Sequence, residues 1–151
     1  MRGSGTQTGR EGKITLIAAS HGIQFPRDPQ TGLPSGSRLH NPLIITKESG
    51  KSSRLLYGML ASNENSAEWE LLFLCPLLSA TSSTGQEVQS HAVKLLNACF
   101  ASINFWMPNS KNPALVRYVE YEQVAFTNQK MIWTSSEGGL TAAHDWSSPV
   151  L

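Results

Sequence analysis

Cysteine is nearly absent: Cys75 and Cys99 are the two in 151 residues, too few for a small disulfide-built scaffold. Charge is thin as well. Asp, Glu, Lys and Arg make up 15% of the chain, against roughly 25% in an average soluble domain. Polar surface must therefore come from Ser, Thr, Asn, Gln and Gly. With 12 basic and 11 acidic residues the formal charge is +1, which argues against a protein built wholly around nucleic acid. No apolar run reaches the ~18 residues of a membrane span, and the polar, Gly-rich opening has no signal-peptide character. What is present is a 40% apolar composition, enough for one ordinary core in a chain that can bury roughly 70% of its unfolded surface.

Catalytic signatures are also missing. There is no G-x-S-x-G elbow, no phosphate-cradling G-x-x-x-x-G-K-[ST] loop and no G-x-G-x-x-G fingerprint. The histidines, His21, His40, His91 and His144, are far apart, and neither C-x-x-C nor H-E-x-x-H occurs, so no metal site is expected. Cys75 and Cys99 fall on apolar faces, where cysteine behaves as a small hydrophobe. Glu68 and Glu70 alternate with Trp69 and Leu71, as solvent-facing residues of a strand would. No catalytic residue and no cofactor are assigned.

The charge that exists is unevenly placed. Eight bases (Arg2, Arg10, Lys13, Arg27, Arg38, Lys47, Lys51, Arg54) stand against three acids up to Arg54, and the remainder is acidic. Spaced cations in an irregular segment can neutralise the phosphates of lipid or RNA, so these eight residues are the expected anion-binding set. Residues 1–12, rich in glycine and poor in apolar side chains, read as a flexible basic arm. Residues 13–136 read as one domain. Within it, Pro26, Pro29, Pro34 and Pro42 with Gly32 and Gly36 deny residues 25–42 a helix or a central strand. Residues 137–151 read as a loose tail, where Trp146 has no local element to bury it and is the expected subunit contact.

Among the elements, 13–19, 42–47 and 68–75 alternate as strands do, and 53–62 suits either a short helix or a buried strand. The spacing predicts a long helix over 86–107. Thr84 and Glu87 form a T-x-x-E capping box, Val88, Ala92, Leu95, Leu96, Cys99, Ile103 and Trp106 recur at intervals that include three and four, and Pro108 ends the pattern. Residues 115–127 and 130–135 read as a hairpin joined near Asn128 and Gln129. The expected fold is α+β, an antiparallel or mixed sheet with that one long amphipathic helix packed on one face.

Ser90-His91-Ala92-Val93 through Phe100, with Gln86-Glu87 and the preceding strand, resembles the helical segment of small matrix proteins of negative-strand RNA viruses, the bornavirus type above all. The resemblance covers about 25 residues around the 86–107 segment. It implies a compact α+β domain that forms lattices with copies of itself, meets the inner leaflet of a membrane and contacts the nucleocapsid. The expectation is a small, non-enzymatic, self-associating structural protein of the viral matrix or coat kind. It would reside in the virion or in the host cytoplasm at the inner face of the membrane. Its partners would be its own copies, anionic lipid or RNA, and a viral nucleocapsid. The alternatives are a small cysteine-dependent hydrolase and a monomeric protein-binding module that uses the Pro-rich loop.

Overall fold

The computed structural model describes Gly3, Gly5 and residues 9–76 and 87–146. Among the described residues the fold is mostly β, with about half of them in strands and one short helix, and contacts divide the chain into two units. Among the described residues no helix is long and apolar enough to cross a membrane.

The first unit joins residues up to Asn65 to Cys99–Thr127. Its sheet runs β1 (Ala18–Ser20), β4 (Leu43–Glu48), β7 (Tyr121–Thr127) and the C-terminal half of β6 (Glu87–Trp106), all antiparallel. The alternation in Leu43-Ile44-Ile45-Thr46-Lys47 sends Leu43, Ile45 and Lys47 to one buried side, as a period of two requires. Val124, Phe126 and Phe100 fill the same core, the two phenyl rings lying 5.0 Å apart at 45°. Helix α1 (Lys51–Ala61) settles the ambiguous 53–62 segment and buries Leu56 completely. It opens with the Gly50 amide donating to Ser53 Oγ at 2.9 Å. It closes through Asn63, at φ 52°, with the Glu64 amide reaching back to Met59 O, the left-handed exit that Asn tolerates better than most residues. A separate two-stranded ribbon, β2 (Ile23–Gln24) against β3 (Leu39–His40), carries the Pro-rich loop as its connection.

The second unit joins Ser66–Ala98 to the chain from Asn128 onward. Its sheet runs β5 (Ser66–Pro76), the N-terminal half of β6, β8 (Lys130–Ser135) and β9 (Thr141–Asp145), again antiparallel throughout. Leu71, Ala92, Val93, Leu95, Ala98 and Met131 form its core.

The long helix of the α+β expectation does not exist: the same residues form β6, a 20-residue strand. Past its middle Asn97 takes a φ of 49°. Before it Val93 and Leu95 point inward, and after it Ala98 and Phe100 do. A left-handed residue thus shifts the strand alternation by one place, in the manner of a bulge. A second register shift follows between Phe100 and Ser102. The residues that spelled the helical stripe do not share one buried face of this strand: Ala92 and Leu95 are buried while Trp106 is exposed. Thr84, half of the supposed capping box, lies outside the described residues, and Glu87 begins the strand. The hairpin is corrected too. β8 has the expected bounds, β7 (Tyr121–Thr127) covers only the last seven residues of the expected 115–127 strand, and each pairs with β6 rather than with the other.

Candidate functional site

The Pro-rich loop is ordered by its own backbone. Asp28 accepts from the Gln30 and Thr31 amides at 2.7 and 3.1 Å, and Arg27 Nη1 donates to Gly32 O at 3.0 Å. The Asp28 amide reaches Leu33 O, and the Ser35 amide reaches Pro26 O. The two amides that point at the Asp28 carboxylate hold it below the usual carboxylate range. This self-bonded turn leaves Ile23, Phe25, Leu33 and Leu39 exposed, Leu33 at 64%. Elsewhere in the first unit Phe105, Trp106 and Met107 follow the end of β6 into solvent, and Val116, Tyr118 and Val119 are exposed in the turns before β7. Exposed apolar side chains of this size become candidate protein contacts where they form a contiguous patch. The signal in the sequence was isolated large apolar residues inside a Pro/Gly-rich loop, which a reading of that loop as mere surface passed over.

The described members of the expected anion-binding set lie on several elements. Arg2 lies outside the described residues. Arg10 is half-buried, Lys13 exposed, and Lys51 and Arg54 sit exposed on α1. Arg27 belongs to the turn just described, and Arg38 is half-buried on the strand ribbon. Lys47 is no surface cation. At 2% exposure its Nζ donates to Glu122 Oε2 at 3.0 Å, Ser53 Oγ at 2.9 Å and Glu48 O at 2.7 Å, and Glu122, also at 2%, accepts further from Ser49 Oγ. A lysine on the inward parity of Leu43 and Ile45 was the sign that it would need a buried partner. In the second unit, β9 lies within the 137–151 segment. Just past it Trp146 is 46% exposed, with its amide bonded to Gln129 O at 3.0 Å.

Nucleophile chemistry finds no assembly. His91 stacks on Phe73 with ring centroids 4.1 Å apart, and its Nδ1 lies 2.9 Å from Ser90 Oγ. Cys99 Sγ lies 3.1 Å from Asn65 Oδ1. Eight residues along a strand separate His91 from Cys99 by about 26 Å. Among the described residues no group of His, Cys, Asp and Glu could hold a metal ion.

Comparison with known proteins gives the family. A family model described as "Type VI secretion system effector, Hcp" matches residues 1–134. The major exported protein of Pseudomonas aeruginosa is 33% identical over 148 residues, covering 98% of this chain and 83% of that protein. A crystal structure of an Hcp protein superposes with a TM-score of 0.83 at 28% identity, covering 95% of this chain and 82% of the other. The Hcp1 protein of E. coli EAEC 042 gives 0.80 at 29%, covering 96% and 89%. The chain belongs to the Hcp family of type VI secretion proteins.

It is therefore not an enzyme, and it associates with copies of itself. Membership overturns the resemblance to bornavirus-type matrix proteins, which rested on letters that any amphipathic segment shares. With it fall the viral matrix or coat function and the placement in a virion or at a host membrane. Nothing in the comparisons points to anionic lipid, RNA or a nucleocapsid as a partner.

Proposed function

We propose that the chain is the exported subunit of a type VI secretion tube, built as closed rings of six identical copies that stack. The family match over residues 1–134 carries this reading. The surface supports it, because head-to-tail contacts between identical chains close into rings when the rotation allows. A rigid arm offering Leu33 and Leu39 is suited to such a contact. In the same reading Trp146 meets a neighbouring copy, and the exposed cations Lys13, Lys51 and Arg54 face anionic side chains of adjacent subunits.

Export is the test of the secretion part. An epitope-tagged chain, expressed in a bacterium with a working type VI apparatus, should appear in the medium, and should stay in the cells when that apparatus is inactivated. Equal release from both strains would refute it.

A further inference from the structure

Ser135 and Ala142 are small residues set among large ones on the sheet of the second unit. The register places His91 against Phe73 in β5 and Ser135 in β8, and Trp133 against Val93 in β6 and Ala142 in β9. Opposed residues of an antiparallel pair share a side, and so do residues two apart on one strand. His91, Trp133, Ser135 and Ala142 therefore stand on one side of the sheet. All four line an open cleft of about 260 Å³ with almost wholly apolar walls, to which Leu140 also contributes.

The walls are fixed within the unit. The His91 ring stacks on Phe73 at 4.1 Å and 10°, and its Nδ1 lies 2.9 Å from Ser90 Oγ, which donates to Phe73 O at 3.1 Å. In the turn after β8, Gly138 and Gly139 take φ of 74° and 62°, a region that glycine enters freely. That turn is tied back by the Ser135 amide to Leu140 O at 2.8 Å, the Ser136 amide to Ser90 O at 2.9 Å and Ser135 Oγ to Glu137 O at 3.1 Å.

We propose that this cleft binds a small aromatic molecule of one or two fused rings, of the size of indole. An apolar cavity of about 150 Å³ already accepts benzene, so the space here leaves room for a second ring. Aromatic rings gain from offset or edge-on contact with other aromatic rings, and Trp133 and the His91–Phe73 stack supply such partners. A saturated ligand of the same outline forgoes that gain. A flat, rigid ligand also loses little internal freedom when it binds. Such binding is separate from tube assembly.

Calorimetric titration of the full chain with indole tests it. The parent should show saturable binding of one indole per chain and should take up benzyl alcohol more tightly than cyclohexylmethanol, its saturated counterpart. Ala142→Leu, which fills the cleft, should abolish the binding, whereas Leu55→Ala, at an exposed position of α1 in the other unit, should leave it unchanged. No saturable binding, an Ala142→Leu variant that binds as the parent does, or equal affinity for the two alcohols would overturn the proposal. So would a parent that ignores indole while Ala142→Leu loses association, a result that gives the cleft to a second copy. Should Ala142→Leu fail to fold, NMR of the parent decides: nuclear Overhauser contacts between indole and the Leu140 methyls must be seen, and their absence at saturating indole refutes the site.

Discussion

Removing one partner of the buried Lys47 and Glu122 pair should be the most damaging polar change in the first unit. Glu122→Gln keeps the shape of the side chain but leaves a lysine charge at 2% exposure facing an amide, with Ser53 Oγ and Glu48 O as its remaining acceptors. Breaking a buried pair from one side costs about 3–5 kcal/mol, because the surviving charge stays desolvated. With a urea slope of about 2 kcal/mol/M, that moves the unfolding midpoint down by about 2 M. Replacing both, Lys47→Met with Glu122→Leu, should cost far less than the two single changes together, since the apolar pair fills the site without a stranded charge. Urea unfolding at one fixed protein concentration measures the parent, Glu122→Gln, the two single changes Lys47→Met and Glu122→Leu, and their double variant, association being held constant. Single variants that lose under about 1 kcal/mol, or a double variant as unstable as the sum of the singles, would refute the view that charge compensation at this site is what the fold depends on.

Truncating Phe126, almost wholly buried against Phe100, to alanine should cost about 3–5 kcal/mol by the same urea assay. At Asn97, φ 49°, Asn97→Val should destabilise by about 1–2 kcal/mol, because a β-branched residue resists the left-handed region, and lose the bond from Nδ2 to Gln129 Oε1; Asn97→Gly should be better tolerated. Asp28→Ala should speed amide exchange at Gln30 and Thr31, whose bonds to the carboxylate hold its protonation point low. In the parent the same amides should stay protected from neutral pH down through 3.8 and open only as pH drops through the lowered value. Trp146→Ala should weaken association, read by size-exclusion chromatography with light scattering at fixed protein concentration, and an unchanged assembled fraction would refute the contact.

Strands whose alternation is unbroken were legible. β4 and β5 came out within a residue or two, because Leu43-Ile45 and Trp69-Leu71-Phe73 each keep one phase. β6 was not, since the left-handed Asn97 and the shift after Phe100 broke its phase twice, and no local preference announces a bulge in advance. β8 and the last seven residues of the expected 115–127 strand were readable from their β-branched and aromatic residues, but 115–120 form turns instead, and because the partner of both strands is β6, one misread element spoiled the pairing of two others. β1 was placed too early: residues 13–17 have strand composition, yet the ladder to β4 starts at Ala18. For the surface, charge asymmetry drew attention to a set of cations of which Lys47 is buried, while the exposed Leu33 and Leu39 lay in a segment whose prolines drew notice first. Self-association was reached from the absence of catalytic groups, but which assembly it serves depends on similarity to whole relatives, and a 25-residue likeness could not supply that.

Native mass spectrometry of the purified chain tests the assembly most directly. Each chain weighs 16.5 kDa, and the dominant species should carry six of them, with longer stacks as concentration rises and with Leu33→Asp reducing the stacks. A spectrum of single chains at every concentration, with no ring under the electron microscope, would contradict the tube-subunit account.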